Sequence, residues 1–131
     1  MQVEVALSTT KAEYIALAQA FREFIPMRRA FEDMLIAFKL DTEYPITVKS
    51  TIFEDNNGAI STATTPKMSS RTKHIGVKYH FVKDYFAKKR NPDHHPFDLK
   101  KIATEIQKAN VFTKGLSEIA FHRIRKLLCG Y

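Results

Sequence analysis

Ile46-Thr-Val-Lys-Ser-Thr-Ile-Phe53, running on into Glu54-Asp-Asn-Asn-Gly-Ala-Ile60, is the stretch that decides the fold. Its first half follows Pro45 and is rich in β-branched residues, which pack well on a pleated surface, so 46–53 reads as a strand. Asp55-Asn56-Asn57-Gly58 then supplies turn chemistry. Ala59, Ile60 and Ala63 follow at helical spacing until Pro66 closes the run. A strand that turns directly into a helix is the repeating unit of an α/β layer fold.

Working outward, residues 2–7 alternate well enough for another strand. After Ser8-Thr9-Thr10 comes an amphipathic run with Tyr14, Leu17, Ala18, Phe21 and Ile25 on one face. Thr10 and Glu13 have capping-box spacing, in which hydroxyl and carboxylate satisfy each other's backbone amides. Pro26 has no amide proton and crowds the preceding turn, so a kink or break is expected there. Met27, Ala30, Phe31, Met34, Leu35 and Phe38 then carry a second apolar stripe. Downstream of Pro66, a basic loop leads to an expected helix from about His74 to Lys89, with Ile75, Tyr79, Val82 and Phe86 inward. Phe97 to Ala103 is a short strand. Thr104 and Gln107 repeat the capping-box spacing ahead of a helix that ends near Phe112-Thr113. Gly115 stops it, and Ser117 caps a last helix with Ala120, Ile124, Leu127 and Leu128 inward. The order β-α-α-β-α-α-β-α-α implies one mixed α/β domain over 1–131, with 104–131 as a helical C-terminal extension.

Composition narrows the function. Apolar and charged fractions of 44% and 27% are those of an ordinary globular chain. No apolar run approaches the ~20 residues that span a bilayer, so no membrane role is expected. Cys129 is the only cysteine and cannot form an internal disulfide, which fits an intracellular, reducing place such as cytoplasm or nucleus. Charge is lopsided: residues 1–66 hold 6 basic and 9 acidic side chains, whereas 67–131 hold 15 and 5, a net of +10. The excess is densest from Lys67 to Arg90, where Asp84 is the lone acid. Such a surface favours a polyanion, most often nucleic acid, although a solvated helix face gives the same pattern. His94-His95, near Asp93 and Asp98, reads as a plain loop, because adjacent histidines point apart and no cysteine or i, i+4 partner accompanies them.

Four segments, taken together, resemble the ribonuclease H region of Ty1/copia-type retroelement Pol polyproteins. They are Ala6-Leu-Ser-Thr-Thr-Lys-Ala-Glu-Tyr14, Asp55-Asn-Asn-Gly-Ala-Ile60, Ser70-Arg-Thr-Lys-His-Ile75 with Tyr79-His80-Phe81 after it, and Ala109-Asn-Val-Phe-Thr-Lys114. They occur in the family's order and cover nearly the whole chain. The resemblance implies a five-stranded mixed sheet with flanking helices. It also implies hydrolysis of the RNA strand of an RNA–DNA hybrid by an in-line water, with two Mg²⁺ ions clamping the attacking and leaving oxygens.

Carried over position by position, Glu13 matches the family's first-helix glutamate and Asp55 its strand-end aspartate, so both are expected metal ligands and catalytic carboxylates. Without the family context, Glu13 reads as a cap of its own helix and Asp55 as an N-cap of the next one. Asn110 stands where the family has a late-helix aspartate; an amide can offer Mg²⁺ a carbonyl oxygen but no charge. The sequence begins at what should be the third strand, so the first two strands, with the first aspartate, are expected to be lacking. That would leave the 46–53 strand with an unpaired edge, which invites self-association or strands supplied by another chain, such as an upstream reverse transcriptase segment. Arg71, Lys73, His74 and Lys78 fall in or beside the basic signature and are expected to contact phosphates of a hybrid or other nucleic acid, with His74 equally able to order the helix start. Three readings follow: an active ribonuclease H, a catalytically impaired fragment that still binds nucleic acid through 67–131, and a relic with no biochemical role.

Overall fold

Tyr14, Leu17, Ala18 and Phe21 recur every three or four residues, which puts them on one face of a helix, and all four are buried. In the computed structural model, which describes residues 9–40, 46, 48–66, 75–86 and 97–131, that helix is α1, Thr9–Ala37. It is followed by β1 (Ser50–Glu54), α2 (Asn57–Thr64), a 3₁₀ turn at Val77–Tyr79 and α3 (Val82–Phe86). After these come β2 (Phe97–Lys101), a second 3₁₀ turn at Thr104–Ile106, α4 (Asn110–Thr113) and α5 (Glu118–Cys129). The expected strand at 2–7 lies outside the described residues.

The architecture is mixed α/β. Among the described residues the sheet has two strands, β1 and β2, paired in parallel with Ser50 opposite Phe97, Ile52 opposite Leu99 and Glu54 opposite Lys101. Parallel neighbours need a long crossover, and here the chain between them contains α2 and α3. The outer edge of β1 has no partner strand among the described residues. The core is centred on Phe21 of α1, whose ring meets those of Tyr85, Phe86 and Phe97 at centroid distances of 4.8, 5.0 and 4.7 Å. Ala59 and Ala63 of α2 close one side of it, with Ile75, Tyr79 and Val82 beside them.

Several local expectations gave way to tertiary contacts. α1 continues through Pro26 as one helix of 29 residues, so of the expected kink or break the break does not occur. An internal proline costs a helix about 3 kcal/mol. The next turn offsets part of this through Arg28, whose guanidinium donates to the Val48 carbonyl at 2.6 Å and the Ser50 hydroxyl at 2.9 Å, pairs with Glu32, and lies 5.3 Å from the Phe97 ring. Beyond that anchor the second apolar stripe is exposed: Met27, Phe31, Met34 and Phe38 each show half or more of their surface. β1 starts at Ser50 rather than Ile46, and Arg28 takes the Val48 carbonyl ahead of it.

The single helix expected from His74 is divided within its described part. The Tyr14 hydroxyl donates to the Tyr79 carbonyl at 3.3 Å, and the Lys83 amide bonds to His80 instead. The helix expected from Thr104 is likewise split. Gln107 is extended, with its side-chain amide reaching the Phe53 carbonyl at 3.1 Å, so it cross-links to β1 rather than closing a capping box. Ser117 does cap α5, accepting from the Ala120 amide, and Gly130 ends it in the left-handed conformation that favours glycine. Of the residues expected inward on α5, Ile124 is buried, whereas Leu127 and Leu128 are exposed.

Thr10 lies inside α1 rather than capping it, and its side chain faces Gly58. A Cβ on Gly58 would sit 2.6 Å from Thr10 Cγ2 and 2.7 Å from Thr10 Oγ1. Both branches of a β-branched side chain are in the way, and such a chain has few rotamers to escape into. Gly58→Ala is therefore expected to destabilise by about 1–2 kcal/mol, the overlap outweighing alanine's better helix propensity. In a Thr10→Ala background the same change should become neutral or stabilising. Urea unfolding of the two single variants and the double variant checks this; equal costs in both backgrounds would contradict the contact.

Candidate functional site

The carboxyl end of β1 is where the sequence changes from strand to turn, and three acidic side chains gather there. Asn56 caps α2, its side-chain oxygen accepting from the Ala59 amide at 3.0 Å. Capping therefore does not occupy Asp55, the residue with the competing cap reading. Its carboxylate instead faces Lys114, with Oδ2 3.7 Å from the ammonium. Glu13, one helical turn into α1, approaches the same ammonium at 3.8 Å through Oε1. Two carboxylates 42 positions apart thus converge on one lysine.

Lys114 reaches this place because α4 is a single turn held at both ends. The Asn110 side-chain amide donates to the Thr104 carbonyl at 2.9 Å, and the Lys114 backbone amide donates back to the Asn110 carbonyl at 3.0 Å. Asn110 is 4% exposed. At the same corner the Lys101 ammonium donates to the Asp55 carbonyl at 2.5 Å. Of the expected phosphate contacts, Lys78 is exposed and its ammonium lies 5.0 Å from the Tyr79 ring. Arg71, Lys73 and His74 lie outside the described residues.

Glu54 is a member of the site that the sequence reading missed. It is 7% exposed, and its Oε1 accepts from the Asn56 amide at 2.9 Å. Burial pushes its carboxyl above the usual range, and the neighbouring charges of Glu13 and Asp55 push the same way, against the backbone hydrogen bond. A carboxyl with a raised folded pKa binds its proton more tightly in the folded chain. Its stabilising contribution is present below the ordinary glutamate range and is lost as pH rises through the raised value. Glu54→Gln keeps an oxygen for Asn56 and removes the charge. The variant is expected to lose less stability than the parent between about pH 4 and about pH 7. Denaturant unfolding at both pH values checks this, and parallel losses in the two proteins would contradict it. Position next to Asp55 was the available clue, although a strand-end glutamate is usually solvated.

The described parts of the four segments that carried the resemblance contact one another. Thr10 from the first faces Gly58 of the second, and Glu13 faces Asp55 across Lys114 of the fourth. Tyr14 bonds to the third, its hydroxyl 3.3 Å from the Tyr79 carbonyl and 3.2 Å from His80 Nδ1. Two magnesium ions need several carboxylates converging on shared positions. Among the described residues no three His, Cys, Asp or Glu side chains are grouped to hold a metal. Glu13 and Asp55 have an ammonium between them, Glu54 is turned to a backbone amide, and the Asn110 amide is held by Thr104. This donor set does not fit a two-metal centre.

Fold and site together define a small mixed α/β unit with paired acids at a strand end. The chain is similar to the retrovirus-related Pol polyprotein from transposon TNT 1-94 of Nicotiana tabacum, with 30% identity over 128 residues. The match takes in 98% of this chain, which spans 8% of the length of that Ty1/copia-type polyprotein. No protein-family model matches the chain, and no solved structure does. Among the described residues no helix is long and apolar enough to cross a membrane.

Proposed function

We propose that this chain is a ribonuclease H-like unit of a Ty1/copia-type Pol polyprotein, which engages RNA–DNA hybrid through its basic second half and is impaired in hydrolysis as it stands. One observation carries the reading: Glu13, Asp55 and Lys114, from three of the segments that resemble that region, meet at the carboxyl end of β1, and Tyr14 beside Glu13 bonds to the described part of the other at Tyr79. Glu13 and Asp55 are then the surviving catalytic carboxylates. Impairment follows from the donor set, which offers magnesium two carboxylates already paired with Lys114. The whole of 1–131 acts as one unit in this reading, with 104–131 bringing Asn110 and Lys114 to the site. The outer edge of β1, which no strand among the described residues covers, and the exposed apolar face of α1 support association with a second chain, either another copy or an adjoining polyprotein segment.

Nucleic-acid binding is the testable part. A labelled RNA–DNA hybrid titrated with the chain should bind at ~50 mM salt and weaken at least tenfold by ~200 mM, since phosphate contacts release counterions. Arg71→Ala combined with Lys73→Ala should weaken binding to hybrids of every sequence alike, as backbone contacts carry no sequence information. Fluorescence anisotropy measures both. Absent binding, or binding indifferent to salt, would overturn the reading.

A further inference from the structure

We infer that Lys114 is the resident cation of this site: its ammonium occupies the gap between Glu13 and Asp55 and competes with any divalent ion for the two carboxylates. The ammonium stands 3.8 Å from one carboxylate and 3.7 Å from the other, so it is shared between them rather than committed to either. Asp55 is the more enclosed partner, with its side chain 9% exposed, while the lysine keeps 42% of its side-chain surface in solvent. The lysine's position is built. Its backbone amide closes α4 on the Asn110 carbonyl, and the Asn110 amide ties the start of that turn to Thr104. A second ammonium, from Lys101 at the end of β2, donates to the Asp55 backbone carbonyl.

A magnesium or manganese ion takes oxygen ligands at ~2.0–2.2 Å in near-octahedral geometry. Glu13 and Asp55 can share such an ion only if the ammonium leaves the gap. Lysine is a compact point charge on a flexible stem, so it can withdraw into solvent, but each departure gives up two ion pairs. The ammonium therefore weakens metal binding without abolishing it. This goes beyond the nucleic-acid role and does not rest on it, because metal and amine are read without any hybrid present.

The test is Mn²⁺ titration of the full chain by calorimetry, with folding of each variant checked by circular dichroism. Lys114→Met is expected to bind Mn²⁺ at least ~10-fold more tightly than the parent, Lys114→Arg to bind as weakly as the parent, and Glu13→Gln with Lys114→Met to lose the gain. Equal affinities in the parent and Lys114→Met, or a gain that survives Glu13→Gln, would overturn the inference. Should Lys114→Met fail to fold, acetic anhydride labelling of the unmutated chain gives the answer. Lys114 should react more slowly than Lys126 without metal and speed up as Mn²⁺ is added. A Lys114 rate that matches Lys126 throughout would overturn it equally.

Discussion

Phe21→Ala is expected to cost about 3–5 kcal/mol, the largest effect of any single change considered. The residue is fully buried, and its ring is the common neighbour of Phe81, Tyr85, Phe86 and Phe97. Truncation removes the burial of a whole aromatic side chain and leaves a cavity among rings that belong to α3, β2 and the turn before α3. Those elements pack on α1 chiefly here, so little can collapse to fill the space. A domain of this size is stable by roughly 5–15 kcal/mol, and the variant should therefore lose a large part of its folded population on mild heating. Urea unfolding followed by circular dichroism measures the loss. A cost below about 1 kcal/mol would show that Phe21 does not join these elements.

The second large effect concerns the position where the resemblance implies an aspartate. Asn110→Asp is expected to destabilise by about 2–3 kcal/mol at neutral pH. The native amide donates to the Thr104 carbonyl from an almost fully buried position, and an ionised carboxylate has no proton to donate. The change sets a negative charge against a carbonyl oxygen and leaves that oxygen unpaired. Burial and the opposing carbonyl both favour protonation of the introduced carboxyl, so its folded pKa should be raised. The penalty should therefore shrink as pH falls toward about 4, where the protonated group can donate again. Unfolding at both pH values reads this directly. A variant as stable as the parent at pH 7 would mean that the Thr104 bond does not hold α4. Placing at position 110 the carboxylate that the resemblance implies thus trades fold stability for charge, and α4 is the turn that sets Lys114.

Much of the local structure was legible in the sequence because local chemistry decided it. The β-branched run before Asp55 became β1, Asn56-Asn57-Gly58 opened α2, and Ser117 capped α5. Legibility failed wherever a distant group took over a backbone atom or a side chain. Pro26 could have broken the helix, but the Arg28 anchor ties the following turn to Val48 and Ser50. The helix after Ile75 is divided where Tyr14 takes the Tyr79 carbonyl, and the one after Thr104 is divided where Gln107 reaches Phe53. No periodicity rule can see a donor 65 residues away.

The site was half visible for the same reason. Glu13 and Asp55 could be paired only through the order of motifs, since spacing alone left both as caps. Lys114 stood inside a quoted motif, but nothing in one sequence says that its ammonium meets both acids. Glu54 was passed over because the strand pattern alone does not show that its side chain is buried beside them.

Impaired hydrolysis is tested by cleavage of a labelled RNA–DNA hybrid by the full chain with Mg²⁺, set beside Glu13→Gln. The hybrid is expected to be bound yet cut no faster by the parent than by Glu13→Gln. Robust Mg²⁺-dependent cleavage by the parent that Glu13→Gln abolishes would contradict it.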